Sequence, residues 1–298
     1  MTIKDSGYRF VISALILLSL VSIYPLVYVL YLSLHRRLLI FDISRFVGLE
    51  NYLFLLKDDR FWNALKNTVY FTVVSVSMEL FLGLSIAMLL NRTFMFKGIV
   101  RAVVLIPWAI PTVVSARMWE WMYNTDFGIL NYMLGAKINW LGSPFWAMNA
   151  AIFMDVWKTT PFVAILLMAG LHVIPQDIYH AARVDGAENL AIFRKITLPL
   201  LKPVILVVLI FRTLDAFRVF DAVYVLTGGG PANTTETLSI YAYKTLFQTL
   251  QFGYGSALSV VIFLCIGSIS IFYIRLLSRG IKQLTQSSKL LVFTFYWR

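Results

Sequence analysis

Tyr179-His180-Ala181-Ala182-Arg183-Val184-Asp185-Gly186-Ala187, followed by Ile196-Thr197-Leu198-Pro199, forms a polar interruption in a chain of 298 residues that is otherwise mostly apolar. Pro175 opens the segment. A helix is expected over Gln176–Asp185, with Ile178, Ala181, Ala182 and Asp185 at helical spacing and Asp177 near the positive end of the helix dipole. Gly186 supplies the left-handed residue that commonly closes a helix. A second helix is expected over Glu188–Thr197, with Leu190, Phe193 and Ile196 or Thr197 on one side. Pro199 and Pro203 should stop it and launch the next apolar run. Two short amphipathic helices hinged at a glycine suit a knob that projects from a membrane domain and docks into another protein. Small Ala181 and Ala182 beside Gly186 would let a partner approach the backbone. Composition equally allows helices that lie on lipid headgroups.

The rest of the chain makes the membrane the first conclusion. Hydrophobic residues are 59% of the sequence, charged residues only 14%, and the mean hydropathy is +0.77. Soluble domains run at about 45–50% apolar and about 25% charged. So little polar residue could not cover a soluble core of this size. The net charge of +11 would suggest nucleic acid in a soluble protein. Here the basic residues flank apolar runs and lack interleaved aromatics, so they read as topology signals and nucleic-acid binding is excluded. Cys265 stands alone, which rules out an internal disulfide and a thiolate cluster. His35, His172 and His180 show no metal-ligand spacing.

A helix needs about 20 apolar residues to cross the hydrocarbon. Six stretches qualify: Phe10–Leu34, Ala64–Leu90, Val100–Trp121, Phe145–Leu171, Val204–Leu226 and Ser256–Leu277. The first is too long for a signal peptide's apolar region and no small-residue cleavage site follows it, so it is read as an uncleaved span. The fold class is therefore all-α integral membrane, one domain over 1–298, with six transmembrane helices and a cytoplasmic helix pair at 175–199 between the fourth and fifth spans. Lysine and arginine favour both termini in the cytoplasm by about two to one. The loop from His35 to Asn63, with Arg36, Arg37, Arg45, Lys57 and Arg60, works against that assignment.

The fifth stretch carries Arg212, Asp215, Arg218 and Asp221. Charges at membrane depth are expensive and mark function or pairing. On one helix each i+3 step turns about 60° backward, so the four would sweep about half the circumference and some should line a wet cavity or meet another subunit. Phe211, Phe217, Phe220 and Tyr224 share the segment. Aromatic faces beside hydrogen-bonding groups suit sugar; packing with structural ion pairs is the other reading. Asp155 and Lys158, three apart, are expected to neutralise each other, and Glu79, Arg117 and Glu120 are further buried-charge candidates. Ser75, Gly83 and Ala87 share a face of the second span, suited to close helix packing within the chain or against a second subunit.

At the opening segment the chain resembles the permeases of ATP-binding-cassette importers, whose coupling motif is E-A-A, three residues, G, nine residues, I, one residue, L-P. Ala181-Ala182, Gly186, Ile196 and Leu198-Pro199 fall on that spacing, with His180 where the family usually has glutamate. Leu105-Ile106-Pro107-Trp108, Ala169-Gly170-Leu171 and Val225-Leu226-Thr227-Gly228-Gly229-Gly230-Pro231 extend the likeness, which looks like the carbohydrate-import branch and covers nearly the whole chain. The resemblance implies a multi-pass inner-membrane transport subunit, not an enzyme, with no cofactor of its own. ATP and Mg would sit on partner ATPases. It implies two ATPase subunits, a second homologous permease, an extracytoplasmic solute-binding protein and the lipid bilayer as partners. It implies ATPase coupling through Tyr179, His180, Ala181, Ala182, Arg183, Asp185, Gly186, Ala187 and Phe193. Arg212, Asp215, Phe217, Arg218, Phe220, Asp221 and Tyr224 are the substrate-path candidates. No G-x-x-x-x-G-K-[ST] phosphate cradle and no nucleophile–base arrangement occurs in the sequence, so no catalytic residue is assigned. A self-contained secondary transporter or channel, using the intramembrane charges as an ion relay, is the alternative.

Overall fold

The computed structural model describes residues 3–92 and 94–295. In chain order its elements are α1 (Ile3–Ser33), β1 (His35–Leu38), β2 (Ile43–Phe46), α2 (Glu50–Lys57), α3 (Asp59–Asn91), α4 (Lys97–Ala109), α5 (Thr112–Met122), α6 (Ile129–Leu134), α7 (Pro144–Val173), α8 (Gln176–Val184), α9 (Asn189–Ile192), α10 (Leu198–Phe217), α11 (Asp221–Thr227), α12 (Leu238–Tyr243) and α13 (Phe252–Phe295). Wide π-helical turns cover Phe193–Thr197 and Lys244–Gln248. Among the described residues five helices are long and apolar enough to cross a membrane, and six if the bent α4–α5 pair counts as one span. The contacts fall into two compact units, Met1–Leu65 with Leu238–Cys265, and Lys66–Thr237 with Ile266–Arg298.

In the first unit the loop after α1 folds into an antiparallel hairpin, which the apolar pattern had not announced. His35 pairs with Phe46 and Leu38 with Ile43. Asn51 on α2 anchors it, its Nδ2 donating to the carbonyls of Ser33 (2.8 Å) and His35 (3.0 Å). Asp58 follows α2 and accepts from the hydroxyls of Tyr241 and Tyr254. Arg60 covers the Tyr241 ring, its Cζ 4.5 Å from the centroid. Burial and the neighbouring Asp58 carboxylate push the Tyr241 phenol above its ordinary range, so it stays a donor.

In the second unit α7 is the spine. Its small residues Ala147, Ala150 and Ala151 and its Val163, Leu167 and Leu171 are buried. Ala87 of α3 and Leu201 and Val208 of α10 join the same core. The row Ser75, Gly83, Ala87 is spent inside the chain: Ser75 and Ala87 are fully buried, and a Cβ on Gly83 would lie 2.5 Å from Val163 Cγ1 and 3.2 Å from the Ala164 amide. Gly83→Ala is therefore expected to destabilise by about 1–3 kcal/mol through overpacking. Gly98→Ala, whose added carbon would meet nothing within 4 Å, should be neutral or slightly stabilising. Thermal midpoints of the two variants in detergent check this pair.

Two of the expected spans are corrected. Val100–Trp121 is not one helix. It breaks between Ala109 and Thr112, and the two halves meet at 93°. Pro111 carries no N–H and forces Ile110 to extended angles (φ −76°, ψ 133°). The expected span Val204–Leu226 begins earlier and ends sooner. Helix runs without a stop from Asn189 to Phe217, and Pro199 does not terminate it. The π turn Phe193–Thr197 widens the coil ahead of Pro199, the Leu198 amide reaching back to Phe193 O, so the ring enters without its usual clash. After Phe217 the backbone leaves the helix, Phe220 adopting φ −133°, ψ −66°, and α11 restarts at Asp221. The four charges thus do not wind around one helix. Arg212 and Asp215 are on α10, Arg218 caps its end, and Asp221 opens α11 at the favourable end of its dipole.

Candidate functional site

Arg212 organises the second unit's interior. Its side chain is 3% exposed and reaches from α10 to Glu79 on α3, which is 0% exposed. Nε donates to Glu79 Oε2 at 2.6 Å and Nη2 to Glu79 Oε1 at 2.8 Å, the fork-on-fork arrangement that suits guanidinium and carboxylate. Nη2 also reaches Asp155 Oδ2 on α7 at 3.1 Å, and Nη1 reaches Asp215 Oδ2 at 2.6 Å. Arg218 Nη2 meets the other oxygen of Asp215 at 3.4 Å. The Thr159 hydroxyl lies 2.7 Å from Glu79 Oε1. One guanidinium thereby ties α3, α7 and α10 together. Asp155 makes its ion pair with Arg212, whose fork Glu79 orients, and Lys158 acts on Asp155 as a nearby charge without a bond.

The outer side of this network is open. A cavity of about 260 Å³ is bounded by Trp108, Lys158, Phe162, Phe211 and the Arg212–Asp215 pair. An adjoining one of about 290 Å³ shares Thr112, Asp155, Arg212, Asp215 and Arg218, and continues to Phe220 and Asp221. The break at Ile110-Pro111 places Thr112, the first residue of α5, on both walls. Helices interrupted beside buried charge are how transporters build polar sites at membrane depth. A larger cleft of about 580 Å³ lies in the first unit, lined by Arg36, Phe41 and Tyr254 among others. The Arg212–Glu79 pair, 3% and 0% exposed, lies beside the second unit's cavities, so the second unit holds the candidate site.

The polar loop after α7 is built as a hinge. α8 ends at Val184, the Gly186 amide donates to Arg183 O at 3.0 Å and the Ala187 amide to Ala182 O at 2.9 Å. With Gly186 at φ +77° this is a Schellman cap. Ile178, Val184 and Leu190 stand exposed, Val184 at 88%. Tyr179 turns the other way, packing on the core and placing its hydroxyl 3.3 Å from Thr197 Oγ1.

The model of the family described as "Binding-protein-dependent transport system inner membrane component" matches residues 79–283. The chain belongs to that family. The permease is 46% identical over 273 residues to the trehalose/maltose transport system permease protein MalF of Thermococcus litoralis, covering 90% of this chain and 92% of the relative. It is 43% identical over 271 residues to the trehalose transport system permease protein SugA of Mycobacterium tuberculosis, covering 91% and 88%. Its fold matches a chain of a bacterial alginate ABC transporter, solved in complex with alginate pentasaccharide-bound periplasmic protein, with a TM-score of 0.80, 22% identity and 89% and 91% coverage. The protein is thus a multi-pass inner-membrane permease of the ABC-importer sugar branch, a transport component and not an enzyme.

Of the substrate-path candidates, Arg212, Asp215, Arg218, Phe220 and Asp221 border the two cavities, while Phe217 is buried in packing and Tyr224 stacks on Phe220 with centroids 4.9 Å apart. Of the loop candidates His180, Ala181, Arg183, Asp185 and Gly186 are exposed, Ala182, Ala187 and Phe193 are half-buried, and Tyr179 faces the permease's own core. Sequence reading gave Glu79 a minor place, although a lone carboxylate amid an apolar span demands a cation from another helix. It also passed over Trp108, Phe162 and Lys158 as wall residues. They are far from Arg212 in sequence and no spacing links them.

Proposed function

We propose that this permease forms, with a second homologous permease, the translocation path for a sugar or oligosaccharide. Two ATPase subunits bind ATP and Mg and drive the path through the 175–199 loop, and an extracytoplasmic binding protein delivers the solute. Both termini lie in the cytoplasm. The observation that carries the coupling part is the Schellman-capped helix pair, whose apolar side chains Ile178, Val184 and Leu190 are exposed on an otherwise polar loop. Exposed apolar groups on a rigid projection suit a protein partner. For sugar, the support is the named substrates of the relatives, trehalose and maltose, and the aromatic and polar walls around Arg212 and Asp215.

ATP binding closes the paired ATPases, and α8 carries that movement into α10 through the continuous helix that starts at Asn189. The two ends of the cycle must differ in their contacts, because only differential affinity shifts a conformational equilibrium. The experiment is site-directed cross-linking in the assembled complex. Cysteine at Val184 is expected to cross-link to the ATPase, and cysteine at Tyr132, an exposed residue of α6 in a segment that the basic-residue bias places on the outer side, is expected not to. Absence of the Val184 cross-link, or its appearance from Tyr132, rejects the coupling assignment. ATP-independent uptake by the permease alone in liposomes would instead support a self-contained transporter.

A further inference from the structure

The β1–β2 hairpin carries its charges against the rule of strand pairing. In its register Arg36 lies directly opposite Arg45, so two guanidinium groups share one face of the ribbon. Like charges in that position destabilise a strand pair. Among the described residues neither arginine has a carboxylate within 4.0 Å, and the neighbouring Arg37 meets Asp42 only at 3.8 Å, with that carboxylate 93% exposed. The ribbon is nevertheless firmly held. The Leu39 amide donates to Leu250 O at 3.2 Å, Leu38 bridges to Gln251, and a Cβ on Gly253 would lie 2.0 Å from His35 O. The repulsion is thus built into a rigid support, and an anion accepting from both guanidinium groups would relieve it.

The position of the hairpin names the source of that anion. The spanning run of α1 ends at Ser33, the hairpin starts at His35, and the span in α13 starts at Phe252. The cleft of about 580 Å³ between them therefore sits at the level of the lipid headgroups, with Arg36 and Arg37 on its walls beside Ile40, Phe41, Phe54 and Tyr254. Ile40, Phe41 and Phe54 are 62%, 70% and 63% exposed. Apolar groups so displayed next to basic ones suit the boundary between headgroups and acyl chains. Glu50 is the carboxylate of the lining, which leaves two cations there against one anion. We propose that this cleft holds the headgroup of an anionic phospholipid. Arg36 and Arg45 donate to its phosphate oxygens, and Ile40, Phe41 and Phe54 lie against the first methylenes of its chains. Arg36, Arg37 and Arg45, which run against the charge bias of the topology, thereby gain a partner at the membrane surface. Only the choice of the outer leaflet rests on the topology proposed above.

The test uses the assembled complex in detergent, titrated with phosphatidylglycerol, phosphatidylcholine or inorganic phosphate. It reads the thermal midpoint and, by native mass spectrometry, the phosphatidylglycerol retained. Phosphatidylglycerol is expected to raise the wild-type midpoint, since a ligand of the folded state stabilises it; the other two probes are expected not to. Arg36→Gln combined with Arg45→Gln should weaken retention at least about tenfold, the effect of losing charge-assisted hydrogen bonds. Its midpoint without lipid should stay equal or rise, because the like-charge pair is gone. Phe41→Ser should weaken retention by a smaller factor. An equal phosphatidylglycerol-dependent rise in the double variant, or a fall in its lipid-free midpoint, overturns the site. Equal stabilisation by inorganic phosphate overturns the lipid as the source, and equal stabilisation by phosphatidylcholine overturns the anionic class. Displacement of the retained lipid by loaded binding protein assigns this face to that protein and overturns the lipid. Each of these outcomes leaves the transport reading standing.

Discussion

Arg212→Leu should cost about 3–5 kcal/mol of stability, the usual penalty for stripping one partner from a buried ion pair. The arginine is held by three carboxylates on three helices, and Glu79 is fully buried beneath it. Without the guanidinium, Glu79 keeps the Thr159 hydroxyl but loses its cation, and must either bear an uncompensated charge or take up a proton. Asp215 is 54% exposed and can turn to water, so most of the penalty sits on Glu79 and Asp155. Arg212→Lys should recover only part, since an ammonium cannot reproduce the paired Nε and Nη2 contacts. Glu79→Leu combined with Arg212→Leu should be much milder than the arginine change alone, because the buried pair leaves together. A double-mutant cycle of thermal midpoints in detergent reads the coupling directly. A wild-type midpoint for Arg212→Leu would show that this network does not hold α3, α7 and α10 together.

Gly186→Val should abolish coupled uptake while leaving membrane insertion intact. The residue sits at φ +77°, and an added Cβ would touch nothing within 4 Å. The cost is therefore torsional, about 1–3 kcal/mol for a side chain in the left-handed region, with a β-branched one at the upper end. To escape it the turn must open, which breaks the amide bonds from Gly186 to Arg183 and from Ala187 to Ala182. α8 would then move independently of the helix that begins at Asn189. Uptake is expected to fall at least about tenfold, with ATP hydrolysis no longer answering to loaded binding protein. Gly186→Asn, which tolerates the left-handed conformation, should restore much of the coupling. Both are measured as uptake and ATPase rate in proteoliposomes. Normal transport by the valine variant would reject the loop as the coupling element.

The hinge was legible in the sequence because every determinant of it is local. Pro175, the apolar spacing through Val184 and the glycine at 186 lie within a dozen residues, and the Schellman bonds connect residues no more than five apart. The run past Pro199 was not legible, since the pattern contains two prolines and says nothing of a widened turn that accommodates the first. The break at Pro111 was missed for a related reason. Pro107 sits inside α4 without ending it, whereas Pro111 ends the helix, and the choice between the two depends on how each half packs on α7.

Membrane residence and the glycine hinge followed from the amino-acid sequence by itself, because apolar length and short-range backbone geometry decide them. The tertiary structure alone decided that Arg212 answers Glu79 and Asp155. Those partners come from helices separated by up to 133 residues. In low-dielectric surroundings the nearest opposite charge in space prevails over the nearest in sequence, and only folding brings the two together.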